Sequence, residues 1–197
     1  MTAYLSIAAE CRTGLNDLQL KGDWQSWAVT SLCGRYRYCL GRGWDESLPF
    51  WCFVMCNPST ARHDVDDATQ RKCSGFASRG GAGGYVIVNV MAYSDTHPEN
   101  VVKAWRSGVD VFGPYNMSVL YWALSQPFAR TVAGWGKLSK PLREAAKRGI
   151  DAVETFAGAG VECFGRNGDG SPTHPLTLAY STPIVPYMRS ATCASAV

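Results

Sequence analysis

The sequence predicts an α/β fold of three layers, α/β/α, around a central four-stranded parallel sheet. Three observations carry that expectation. Four short apolar runs recur along the chain: "FWCFVMC" (50–56), "YVIVNV" (85–90), "RTVAGW" (130–135) and "VECFG" (161–165). Each is almost continuously hydrophobic, the pattern of strands covered on both faces. Segments able to form helices lie between them, and alternation of this kind calls for parallel strands joined by right-handed crossovers. With 197 residues, 46% of them hydrophobic, the chain can bury one sizeable core, so a single domain over 1–197 is expected, its core at 35–180.

Taken in order, residues 1–34 are expected as an N-terminal helical extension, with "DWQSWAVTSL" (23–32) its best helix. "RYRYCLGRGW" (35–44) alternates polar and apolar residues and predicts an extra antiparallel edge strand. "DDATQRKCSGFASRG" (66–80) opens on two aspartates suited to a helix N-cap and closes on glycine. "GPYNMSVLYWALSQ" (113–126) has apolar residues at helical spacing, and "SKPLREAAKRGIDAVETF" (139–156) starts with Ser and Pro where a helix begins.

Composition narrows the function classes. The net charge of +3, 19 basic against 16 acidic residues, suits a polyanionic partner but is far from the excess of a dedicated DNA binder. Eight cysteines form no Cys-x-x-Cys pair and no Cys/His cluster with metal-ligand spacing, so no metal and no cofactor is expected. Several stand inside apolar runs, as reduced thiols in a cytoplasmic protein do. The N-terminus lacks a basic signal-peptide segment, and no stretch approaches the roughly 18 apolar residues of a membrane span, so no membrane association is expected.

In open α/β sheets ligands bind beyond the carboxyl ends of the strands, where loops and helix N-termini meet. Those positions are occupied by polar groups in all four cases. Asn57-Pro58-Ser59-Thr60 follows the first run, Asn89 closes the second with Tyr93 just beyond, Trp135-Gly136-Lys137 follows the third, and "GRNGDGSPTHPLTL" (165–178) follows the fourth with Ser171, His174 and Pro175. Asp66, Asp67, Thr69 and Arg71 lie close to the same rim at the start of a helix. Each residue also has a plain structural role: Asn57-Pro58 as a strand-ending turn, the aspartates and Thr69 as caps, Arg71 on a solvated face, Trp135 in the core.

In sequence order, "RYRYCLGRGW", "MCNPSTA", "DDATQRK", "VIVNVMAY", "VAGWG" and "GDGSPTHPLTL" resemble the bacterial and phage family called domain of unknown function 1643. More remotely, Asn-Pro after the first strand, Asn at the end of the second, Trp-Gly after the third and His-Pro after the fourth resemble the uracil-DNA glycosylase superfamily. That resemblance implies a uracil-DNA glycosylase-like fold and a protein that recognises DNA or a nucleotide or nucleobase. It implies that Asn57 positions a water, that Asn89 reads the base edge and that His174 stabilises charge on the departing base. The sequence departs from the superfamily in lacking an aspartate at the water-positioning site and in placing Leu176-Thr177 after His-Pro.

The chemistry is compatible with those roles. Cleaving an N-glycosidic bond creates an oxocarbenium-like sugar and an anionic base, so it needs a placed water and preorganised donors. An amide orients water but does not titrate near neutrality, which leaves Asp67 or Asp66 to supply a carboxylate. Two alternatives stand beside hydrolysis: a non-catalytic nucleotide- or protein-binding module on the same fold, and a hydrolase or transferase acting on free nucleotides.

Overall fold

In the computed structural model, residues 18–59, 64–156 and 160–187 are described. Within the apolar run at 50–56, Phe50–Met55 form a strand buried at every position, and the reason lies in a period of two. Trp51, Phe53 and Met55 pack with Cys73, Phe76 and Ala77 on one face, whereas Cys52 and Val54 pack with Leu120, Ala123, Leu142 and Ala146 on the other. Alternate side chains of one strand therefore serve two separate cores.

That strand is β4 (Phe50–Met55) in a mixed sheet of eight, with β1 (Leu18–Asp23), β2 (Ser26–Ser31), β3 (Arg37–Gly43), β5 (Gly84–Asn89), β6 (Arg130–Ala133), β7 (Val161–Cys163) and β8 (Val185–Pro186). The order is β1-β2-β3-β5-β4-β6-β7-β8. β4 pairs in parallel with β5 and β6, and β6 with β7, while β1, β2, β3 and β8 join antiparallel. Four helices are present among the described residues: α1 (Ala68–Arg79), α2 (Pro98–Arg106), α3 (Asn116–Ser125) and α4 (Lys140–Phe156). Residues of α1 pack into the core on one face of the sheet and residues of α2, α3 and α4 into the core on the other.

The start of α1 follows directly from its sequence. Asp67 adopts extended backbone at the N-cap, and its carboxylate accepts from the Gln70 backbone N–H at 2.8 Å. Helix α2 has Pro98 in its first turn, where the missing N–H costs nothing; "PENVVKAWR" is short, and no helix is expected there from the sequence.

Three expectations are corrected. Among the described residues the sheet has eight strands of mixed direction, not four, because β1–β3 and β8 extend it on both sides. The segment 35–44 is not an edge: β3 lies between β2 and β5, and the edges are β1 and β8. Within the expected N-terminal helical extension, residues 18–31 form strands β1 and β2, while residues 1–17 lie outside the described residues. "DWQSWAVTSL" has helical spacing only in places; pairing decides its state, since Ser26–Thr30 hydrogen-bond along β3 and bury Trp27, Ala28 and Val29. Among the described cysteines, Cys33, Cys39, Cys52, Cys56, Cys73 and Cys163 are free thiols. No helix among the described residues is long and apolar enough to cross a membrane.

One glycine sets how close α4 approaches the sheet. A Cβ on Gly149 would lie 2.0 Å from the carbonyl oxygen of Val90, just beyond the end of β5. Backbone cannot yield as a flexible side chain can. Gly149→Ala is expected to destabilise the fold by about 1–3 kcal/mol through overpacking, read as a lower urea midpoint in equilibrium unfolding.

Candidate functional site

The parallel strands deliver their carboxyl ends to one rim, and a cavity of about 270 Å³ opens there. Its floor is apolar, from Met55, Ile87, Leu138 and Leu142. Its walls carry much of the polar set expected from the sequence: Asn57, Ser59, Asp67, Thr69, Asn89, Trp135, Lys137 and His174 all line it. Arg37 and Gln70 line it as well, and neither is expected from the sequence. Arg37 lies within a strand read as an edge, and Gln70 lies inside a helix, so neither occupies a strand-end position that would mark it.

Asn57 is held from one side. Its Nδ2 donates to the Asp95 carbonyl at 2.8 Å and to the Pro58 carbonyl at 3.2 Å. Both partners are acceptors only, so Nδ2 is turned away to them and Oδ1 is the end left to accept from a small molecule or water. Asn89 is buried at 2% exposure, and its Nδ2 has no hydrogen-bond partner among the described residues. The backbone carbonyl of Asn89 accepts from Asn116 at 3.1 Å, which anchors α3 beneath it.

Asp67 works twice. One carboxylate oxygen caps α1 and the other accepts from the Ser59 hydroxyl at 2.9 Å. Its negative charge faces the Arg37 guanidinium, which burial pulls down to about 10 while Asp67 opposes the shift. Burial likewise lowers the His174 imidazole from its ordinary value, with Asp67 again acting in the opposite sense. His174 Nδ1 accepts from the Leu176 backbone N–H at 3.2 Å. That bond selects the neutral tautomer, with Nε2 carrying the proton as a donor. Cys56 also lines the cavity, but burial pushes its thiol up to about 12, so it is not a nucleophile near neutral pH.

The remaining expected residues lie around the cavity rather than on its wall. Asp66 is bound by Arg42, Nε to Oδ1 at 2.9 Å, and does not line the cavity. Arg71 is exposed and donates to the Asp66 carbonyl at 2.6 Å. Tyr93 packs edge-on to Tyr36 at 6.3 Å between centroids. Ser171 is turned into its own loop, donating to Asp169 at 2.6 Å. Pro58 and Pro175 are buried supports. Gly136 has a φ of +78°, and a Cβ there would lie 3.1 Å from that of His174, so the bare backbone lets the His-Pro loop approach. Trp135, already placed on the wall, is 3% exposed and meets Tyr187 edge-on at 5.4 Å. Thr60 falls outside the described residues. Among the described residues no group of three His, Cys, Asp or Glu is placed to hold a metal ion.

A family model described as a protein of unknown function, DUF1643, matches residues 37–176. The chain belongs to the DUF1643 family. No curated protein and no solved structure matches it. The DUF1643 span runs from the first residue of β3 to the turn after His174, and every residue lining the cavity, Arg37 to His174, falls within it.

The burial of His174 sets a pH dependence. Its folded-state value lies below that of the unfolded chain, so as pH falls through about 6.5 the unfolded state takes up a proton that the folded state refuses. The contribution of His174 to stability is full above that value and is lost as pH falls toward the folded-state value. His174→Asn is expected to make the decline in unfolding free energy between pH 7 and 5 shallower, measured by urea unfolding at a series of pH values.

Proposed function

We propose that the cavity binds a nucleobase, presented by DNA or by a nucleotide, and that the protein hydrolyses the N-glycosidic bond of that base. The convergence of Asn57, Asp67, Asn89 and His174 on one cavity carries this reading. The volume is near the lower limit of small-molecule sites, roughly 300–1,000 Å³, which suits a planar base better than an entire nucleotide. The resemblance to uracil-DNA glycosylases agrees with it, and the parallel run β5-β4-β6-β7 supports a likeness of fold.

In this proposal Asn57 Oδ1 accepts a hydrogen bond from a water and aims its oxygen at the anomeric carbon. Asp67 takes the proton as the carbon–oxygen bond forms and the carbon–nitrogen bond breaks. The departing base keeps the bonding electrons, and His174 Nε2–H and Asn89 Nδ2–H stabilise the charge that develops on it. A base inside a duplex would first be flipped out, at a cost of a few kcal/mol. Lys137, exposed at the mouth, is available to phosphate.

One observation favours a non-catalytic binding module instead: both carboxylate oxygens of Asp67 already accept hydrogen bonds. Release of free base from single- and double-stranded DNA carrying altered bases separates the two readings. His174→Ala is expected to reduce turnover about 10²–10³-fold, as loss of one charge-stabilising donor does. Asp67→Asn keeps the helix cap and is expected to reduce turnover about 10²–10⁴-fold. Binding of these DNAs without release of any base from the wild-type protein would leave the binding module. Affinity that does not weaken as salt rises would point to free nucleotides, because phosphate contacts release counterions.

A further inference from the structure

Gln70 is 2% exposed, yet among the described residues only one end of its side-chain amide is satisfied. Arg42 Nη2 donates to Gln70 Oε1 at 3.1 Å, and the same guanidinium holds Asp66 Oδ1 through Nε at 2.9 Å and Nη2 at 2.8 Å. A guanidinium only donates, so its partner on Gln70 has to be the carbonyl oxygen. The amide is thereby locked in one orientation. Its Nε2 is left buried, in a residue lining the cavity, with no hydrogen-bond partner among the described residues.

Asn89, another lining residue, is in the same condition, its Nδ2 buried and without a partner among the described residues. Orphaned buried donors destabilise a fold and are few in native proteins. Two around one small cavity, one of them oriented by an ion pair behind the wall, indicate a ligand that completes both.

We propose that Gln70 and Asn89 act as a pair of donors that selects bases bearing oxo groups over their amino counterparts, with Arg42 as the positioning residue that keeps Gln70 in its donor orientation. This deepens the base-binding reading above and rests on it, but not on hydrolysis. Asp66, which does not line the cavity, acquires its role through Arg42. The chemistry follows from satisfiability: an oxo group meets N–H and is paired, whereas an amino group meets N–H and leaves both unpaired.

The test is calorimetric binding of free uracil, cytosine, hypoxanthine and adenine to the full chain and its variants, each variant first checked for a cooperative thermal transition. The wild-type protein should prefer uracil to cytosine and hypoxanthine to adenine by about tenfold or more, the worth of one net hydrogen bond. Gln70→Met should lose that margin by weakening the oxo bases alone. Gln70→Glu keeps an acceptor for Arg42 and replaces the donor with a second acceptor, so the preference should invert. Arg42→Met frees the amide to turn over, so the ratio within each pair should collapse toward one while cytosine and adenine gain affinity, an outcome a merely structural role would not produce. Oxo bases bound equally well by the wild-type protein, Gln70→Met and Gln70→Glu would overturn the inference and leave the base-binding reading intact. Failure of all four bases to bind the wild-type protein at millimolar concentration would overturn both. Base release absent from DNA, with the Gln70-dependent preference present, would remove hydrolysis alone.

Discussion

The parallel pairing of β4 with β5 is the constraint on which the candidate site depends. It runs in register from Phe50↔Gly84 to Met55↔Asn89. The ladder continues past the strands, with Val90 N–H donating to Met55 and Met91 N–H to Cys56. Asn57 is thus carried beside the end of β5, and its Nδ2 bond to Asp95 ties the two loops together. β6 adds its own end through Val54↔Ala133 and the Gly134 N–H to the Val54 carbonyl. A slip of one residue in this register would turn every alternate side chain to the other core and empty the cavity of its asparagines.

Around the cavity, N–H donors come from several side chains. Arg37, Gln70, Asn89, Lys137 and His174 bring N–H groups, against the Asp67 carboxylate and the Asn57 carbonyl. Asp67 both faces the buried guanidinium of Arg37 and raises the proton affinity of His174 against the effect of burial. One carboxylate therefore moderates two basic groups while capping the helix that carries Gln70. Such a wall is complementary to a ligand whose edge is rich in lone pairs, and the apolar floor suits a flat, poorly hydrated face.

Two neighbouring aspartates show how finely the outcome is divided. Asp66 and Asp67 are alike in sequence terms, both at a helix start and both next to the rim. Asp67, at the N-cap, lines the cavity; Asp66 is engaged by Arg42 from β3. No local pattern distinguishes them, because the distinction comes from a strand more than twenty residues upstream. The same distance effect turned residues 18–31 from an expected helix into strands β1 and β2, and placed β3 inside the sheet.

From the sequence alone, the four apolar runs, the helices at 68–79, 116–125 and 140–156, and the polar residues at strand ends were all legible, because hydrophobic period, capping residues and breakers act over a few neighbouring positions. Asn57, Asn89, Asp67 and His174 belong to that legible set, as strand-end and loop residues of an α/β pattern do. Strand order, the antiparallel additions, and the entry of Arg37 and Gln70 into the cavity were decided only by tertiary structure. Pairing between distant strands and the satisfaction of buried amides are settled by which groups meet in space, and no local pattern of residues records that.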